Sequence, residues 1–280
     1  MAFISRRRVA KKWVSSPEGF MKLGCSSWSY HRMFEAGALD QLRWLRKCAV
    51  ELELDGVELL DQHFPRTDLD YLREIKALAL DLGLTISAVS VSNNFGWRSA
   101  ERRAAEVERV RQWIDIAHFL GAPLLRVFAG WPEGDREQAW PAMVACVREA
   151  LAHAEARGVA LAVENHNHHS FVQTADDILR LLDEVQSPWL RFLLDTGNFV
   201  DLYDSIERTA NRAVFVHAKL YQVDPERGEQ KLDYSRIMAA LRAAGYRGYL
   251  SIEYEGEADE GTSVAWAVRY LRRLMAQTQR

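Results

Sequence analysis

GVALAVENHNHHSFVQTADDILRLLDEVQSPWLRFLLD, residues 158–195, holds one complete structural period of this chain. It opens on Gly158, which follows a helical run and predicts a helix closed in the left-handed conformation. The run 160–164 is short and continuously apolar, as expected of a strand buried on both faces in a parallel sheet. A polar loop follows. Ile178, Leu181, Leu182 and Val185 then stand at i, i+3, i+4 and i+7, which predicts a helix over 174–184 with one buried face. A second apolar run, 192–195, ends the period on Asp195.

Outward from this stretch the same alternation fills the chain. Apolar runs at 23–26, 56–60, 85–91, 124–128, 160–164, 192–195, 213–218 and 249–253 predict strands. Amphipathic stretches at 39–50, 68–82, 99–120, 136–157, 174–184, 205–209, 234–244 and 262–275 predict the helices between them. Gly83, Gly121 and Gly245 repeat the helix-ending role of Gly158. Eight strand–helix repeats suit a closed parallel barrel, whose usual size is about 250 residues. A doubly wound open sheet shares the alternation. It is disfavoured because no GxGxxG or GxxxxGK[ST] follows any strand, and polar residues gather at many strand ends instead of one switch point. The expected fold is α/β: a single (β/α)8 TIM barrel over 21–280, preceded by a short basic extension over 1–20 carrying Arg6, Arg7, Arg8, Lys11 and Lys12.

Composition narrows the function classes. Of 280 residues, 48% are hydrophobic and 27% charged, which gives ample apolar surface for a core and argues against disorder. No apolar run reaches the length of a membrane span, and no apolar segment follows the basic extension as a secretory signal would require. The balance of 36 basic against 39 acidic residues gives no long-range attraction for nucleic acid. Cys25, Cys48 and Cys146 are odd in number and widely spaced, which reads as reduced thiols in a cytoplasmic protein.

In a barrel of this kind the active site is built at the C-terminal ends of the strands. Those ends offer Trp28, Glu58, His63, Asn93, Arg126, Trp131, Glu164, His166, Asp195, Asn198, His217, Lys219 and Glu253. The last four strands each end in a potential metal ligand: Glu164, Asp195, His217 and Glu253. Three carboxylates and one imidazole suit a hard or borderline divalent ion, Mn²⁺ or Mg²⁺ first, with Co²⁺ or Zn²⁺ possible. One buried carboxylate can be explained by a salt bridge, such as Glu58 with Arg126. Four ligands on consecutive strands aimed at one mouth are not explained that way.

The segments VENH (163–166), LLDTGNF (193–199), VHAK (216–219) and SIEYEG (251–256), together with GVELLDQHF (56–64) and LRVFAG (125–130), resemble the sugar phosphate isomerase/epimerase family. This is a branch of the xylose isomerase-like barrel superfamily, and the resemblance runs from about Met21 to the C-terminus. It implies that Glu164, Asp195, His217 and Glu253 hold one catalytic divalent metal, and that Glu164 and Glu253 also act as the acid–base pair. The expected activity is isomerisation or epimerisation of a sugar or keto-sugar through a metal-stabilised enediolate. The alternative is lyase chemistry on the same enolate: dehydration, or elimination of an aglycone from a 3-keto-glycoside. The resemblance also implies a homo-oligomer.

Two positions depart from the ketose 3-epimerases. A second carboxylate there follows the first metal glutamate by six residues, where this chain has Ser170. A histidine there stands three residues after the metal aspartate, where this chain has Asn198. Both changes weaken the case for 3-epimerisation of a free ketose. The run His166–His169 offers either a general base or a solvated loop at His168 and His169, while His166 lies nearest the strand and is expected to assist catalysis. Lys219, two residues beyond His217, points the same way if the strand continues; it is expected to act in catalysis by holding a substrate oxygen or polarising a carbonyl, the alternative being a salt bridge to a barrel carboxylate. Trp28, Glu58, His63, Asn93, Trp131, His168 and Asn198 are the expected substrate contacts. Trp97 offers a further flat face. The loop after the last strand carries Glu255, Glu257, Asp259 and Glu260 and would repel a phosphate, although Arg227 and Lys231 lie in the loop before it. The sequence therefore favours a neutral sugar or keto-sugar as the small-molecule partner, with no nucleic acid and no membrane.

Overall fold

The computed structural model describes residues 21–277. The basic segment 1–20, read above as an extension, lies outside the described residues, as do 278–280.

Each short apolar run forms a strand: β1 Lys22–Ser26, β2 Gly56–Leu60, β3 Thr85–Ser90, β4 Leu124–Phe128, β5 Ala160–Glu164, β6 Leu190–Asp195, β7 Ala213–Leu220 and β8 Tyr249–Tyr254. All pair in parallel, and β1 bonds both β2 and β8, which closes the eight strands into one (β/α)8 barrel. Helices fill the intervals. Ala100–Leu120 and Arg136–Arg157 end on Gly121 (φ 82°) and Gly158 (φ 69°), each in the left-handed conformation that glycine adopts without a Cβ clash. Ala175–Val185 starts from a capping box formed by Thr174 and Asp177.

Three details differ from the sequence reading. The single helix expected over 39–50 is an α-helix, Gln41–Arg46, running into a π-helical turn, Lys47–Glu51. An antiparallel ribbon pairs Val223–Asp224 with Gly228–Glu229 in the loop after β7. β7 itself continues past the expected end at Ala218 to Leu220, so Lys219 does lie on the strand, two residues from His217.

The barrel strands hide a period of two beneath their apolar appearance. On β4 to β8, Leu125, Val127, Leu161, Val163, Phe192, Leu194, Val216, Ala218, Leu250 and Ile252 pack in the main core with the helices. The residues between them face the other way. Leu124, Ala162, Leu193 and Phe215 form a separate small apolar cluster, with Tyr249 packed on it. One step further along the same face stand Arg126, Glu164, Asp195, His217 and, two steps from Tyr249, Glu253. The barrel interior is thus apolar below and ionisable at its C-terminal mouth, the layered filling expected of this fold.

Candidate functional site

Glu164, Asp195, His217 and Glu253 are all buried, and one ligand atom from each lies within 4.8 Å of the others. Backbone register brings them together: Asp195 pairs with His217 across β6 and β7, and Glu253 pairs with Lys219 across β7 and β8. Asn165, the residue after Glu164, clamps the end of β6. Its amide donates to the Asp195 carbonyl at 3.0 Å and its oxygen accepts from the Asp195 N–H at 2.8 Å.

His217 is the pivot. Its Nε2 lies 2.8 and 3.0 Å from the two oxygens of Glu58, which also accepts hydrogen bonds from Ser90 and Ser251. A carboxylate only accepts, so Nε2 carries the hydrogen and Nδ1 points the other way. Nδ1 lies 3.3 Å from Glu164, 3.5 Å from Glu253 and 3.8 Å from Asp195. Burial opposes charge on His217, but Glu253, Glu58 and Glu164 outweigh it and raise its pKa well above the usual value. Burial likewise opposes charge on Glu58, yet His217 and Ser90 bring its pKa down to about 2. The imidazole nitrogen faces three carboxylates, an arrangement that needs a cation between them or a proton on the ring.

The residues fit a divalent ion. Glu164 Oε2, Asp195 Oδ2 and Glu253 Oε2 are buried, with the cations of Arg126 and Lys219 2.5–3.3 Å from them. The donor set of three carboxylates and one imidazole suits a hard or borderline ion. Glu58 behind His217 supplies the outer carboxylate that orients a ligating imidazole.

Two permanent cations border the cluster. Arg126 Nε lies 3.2 Å from Glu164 Oε2, so Arg126 is the partner of Glu164. Lys219 Nζ lies 2.5 Å from Glu253, 2.9 Å from Glu255 and 3.3 Å from Asp195. Burial disfavours the charge on Lys219, but Asp195, Glu253 and Glu255 outweigh it and hold its pKa well above the ordinary lysine value.

Above the cluster is a cavity of about 160 Å³. Trp28, Trp131, Glu164, His166, Asn198, Lys219 and Glu253 all border it, as their positions in the sequence suggest. Trp28 donates its indole N–H to Glu255 at 2.9 Å, and Trp131 packs edge-on against His166 and Phe128.

Four expected substrate contacts are placed elsewhere. Glu58 is fully buried beneath His217 and orients it, because its strand points it across the barrel interior instead of up into the mouth. Asn93 is consumed by the backbone: its side chain pairs with both the N–H and the carbonyl of Phe128, at 2.9 and 2.8 Å. His63 stacks on Phe34 and bonds Ser27, which turns it into a neighbouring cavity. His168 is exposed and does not border the cavity; with His169 it takes a left-handed backbone (φ 58° and 64°) that turns the loop outward. Trp97 is covered by Arg102, 3.3 Å above its ring.

Sequence reasoning missed Glu255 and Phe128 as cavity residues. Each stands two residues from an identified position, Glu253 and Arg126, so the spacing that placed Lys219 applies equally to them.

The structure resembles that of D-psicose 3-epimerase from Clostridium cellulolyticum H10, with a TM-score of 0.77 over 91% of this chain and 99% of that one. At 20% identity this is a likeness of fold. A putative hydroxypyruvate isomerase from Mus musculus is 28% identical over 191 residues, 60% of this chain and 67% of that protein. The C-glycoside deglycosidase alpha subunit of Arthrobacter globiformis is 49% identical over 43 residues, 15% of this chain and 12% of that protein. The xylose isomerase-like TIM barrel family matches residues 33–274, nearly the whole of the described barrel, and the chain therefore belongs to that family.

Proposed function

We propose that the chain is a divalent-metal-dependent isomerase or epimerase acting on a neutral sugar or keto-sugar. The convergence of the buried Glu164, Asp195, His217 and Glu253, with one ligand atom from each within 4.8 Å of the others, carries this reading. The sugar epimerase fold and the partial similarity to a putative hydroxypyruvate isomerase support it.

A divalent ion held by these four residues would polarise a substrate carbonyl and acidify the adjacent C–H bond. Glu164 and Glu253 approach the cavity from β5 and β8 and are the proton-transferring pair. Removal of a proton by one and return by the other inverts a carbon centre; both transfers by one carboxylate move the carbonyl instead. Lys219 holds Glu253 in place, and a substrate oxygen would reach it by displacing one of the three carboxylates that share its three donors. Trp28, Trp131 and Phe128 supply apolar faces for the ring.

Charge selects the substrate class. Both permanent cations that border the cavity, Arg126 and Lys219, are already ion-paired, and Glu255 stands at the same wall. Arg227, the possible phosphate contact, pairs with Asp224 on the exposed ribbon. A phosphate entering here would meet carboxylates first.

A second reading, elimination from the same activated sugar, is supported by the segment shared with the C-glycoside deglycosidase alpha subunit. His166 favours it too. Its Nδ1 lies 3.1 Å from the Asn167 carbonyl and donates to it, which leaves Nε2 as a free acceptor.

Solvent deuterium incorporation followed by NMR, with Mn²⁺ present, over ketoses, inososes and 3-keto-glycosides tests both readings. Label beside a carbonyl with the carbon skeleton intact supports the isomerase or epimerase. Release of water or an aglycone transfers the assignment to the lyase, and neither exchange nor release with any of them contradicts both.

A further inference from the structure

A second cavity, of about 300 Å³, opens at the same end of the barrel. The segment after β1 contributes Phe34, Leu39 and Gln41, and the turn after β2 contributes Gln62, His63 and Phe64. Gln62 borders both cavities, so the two are neighbours. Aromatic rings stand at their boundary. His63 stacks on Phe34 with ring centres 4.1 Å apart and planes 4° from parallel, and it lies 6.4 Å and 15° from Trp28, which borders the first cavity. Burial, followed by the nearby His31, holds the His63 pKa down to about 4, so this ring is uncharged at neutral pH, while Glu35 and Asp40 add carboxylates to the cavity wall.

One of the lining residues, Gln41, carries a buried donor without a partner. Gln41 is 1% exposed; its Oε1 accepts from the Tyr71 hydroxyl at 3.2 Å, while its Nε2 has no partner. A buried amide N–H without an acceptor is costly, and a ligand oxygen would relieve it. Flat, nearly parallel rings favour another flat ring by offset stacking. The first cavity, at about 160 Å³, is small beside the roughly 300–1,000 Å³ of ordinary small-molecule sites, and the two together fall inside that range.

We infer that the second cavity is a subsite for the aromatic aglycone of a glycoside whose sugar ring occupies the cavity over the metal ligands. The inference rests on the proposed reading of that first cavity as a sugar site. It narrows the substrate class from free sugars to aryl glycosides or their keto derivatives. An oxygen on the aglycone accepts from Gln41, and its ring packs against Phe34 and His63.

The test uses the full chain loaded with Mg²⁺, and fluorine NMR of 4-fluorophenol as the aglycone alone. Paired 4-fluorophenyl and methyl glycosides of glucose, galactose and mannose are titrated alongside. Binding of 4-fluorophenol is expected, with a roughly tenfold loss in Phe34→Ala, equivalent to about 1.4 kcal/mol. At least one aryl glycoside should bind about tenfold more tightly than its methyl partner, and Phe34→Ala should remove that advantage without weakening the methyl glycoside. Replacement of Mg²⁺ by paramagnetic Mn²⁺ should broaden the fluorine signal of the wild-type complex, which locates the ring near the cluster without any variant. Failure of 4-fluorophenol to bind, an absent aryl preference, or an unbroadened signal overturns the subsite. Deuterium exchange into a small keto-sugar is measured in parallel. Exchange without aryl preference removes the subsite alone, whereas aryl binding without exchange leaves the subsite standing and removes the proposed reaction.

Discussion

Glu58 grips the far nitrogen of His217, with both carboxylate oxygens within 3.0 Å of Nε2, and so turns Nδ1 toward Glu164, Asp195 and Glu253. The contact spans 159 residues of sequence. It explains how a histidine on β7 can be both fully buried and aimed at a cluster of acids.

Glu58→Gln should therefore weaken metal binding while leaving the fold intact. The amide keeps the shape and can still meet Ser90 and Ser251, but it loses the charge that fixes the ring. Loss of such an outer partner typically costs about 10–100-fold in metal affinity. Competition with a fluorescent chelator measures it, and affinity equal to wild type would remove Glu58 from the ligand set's support.

Glu253→Gln should lower the rate of proton exchange by about 10²–10⁴, the usual contribution of a positioned acid or base. Single-turnover kinetics at saturating Mn²⁺ separate this from reduced metal occupancy. A variant that exchanges protons near the wild-type rate would show that another group carries the transfer.

Lys219 offsets three carboxylates at once, those of Asp195, Glu253 and Glu255. Lys219→Met should destabilise the metal-free chain by about 3–5 kcal/mol, since it leaves buried charges unpaired. The loss should shrink when Mn²⁺ is added, because the ion supplies the missing positive charge. Thermal melts with and without metal provide the comparison, and an equal loss in both conditions would contradict the charge balance described here.

Much of the fold is visible in the sequence because each strand–helix period repeats the same local cues: an apolar run, a polar loop, an amphipathic stretch and a glycine stop. The four candidate metal ligands are visible for the same reason, each standing at or near the end of one of four consecutive strands. Lys219 also follows from strand periodicity, and Glu255 and Phe128 could have been found the same way. Glu58 could not. Its strand direction is legible, but its partner across the barrel is set by closure and stagger, and β2 shifts register against β3 between Val57 and Glu58. Asn93 and His63 stand away from the cavity over the cluster for a related reason: a loop side chain can serve the backbone or a stacked ring, and only the folded loop decides which.

His63 should leave a pH signature on stability. Its folded pKa of about 4 lies below the usual value near 6.5, first because it is buried and then because His31 is near. Above pH 6.5 the ring is neutral in both states and contributes nothing. As pH falls from 6.5 toward 4, the unfolded chain takes up the proton first, so stability declines; below 4 the effect levels off. In His63→Gln the decline in melting temperature between pH 7 and 5 should be smaller than in wild type, and identical slopes would place the ring in a more hydrated setting.

The most direct test of the metal centre is the ion content of the purified chain after Mn²⁺ loading and desalting, by elemental analysis, in wild type and Asp195→Ala. One ion per chain in wild type, falling to a small fraction in Asp195→Ala, is the predicted result. A wild-type chain that retains no ion, or an Asp195→Ala variant that retains a full equivalent, would contradict the assignment of Glu164, Asp195, His217 and Glu253 as its ligands.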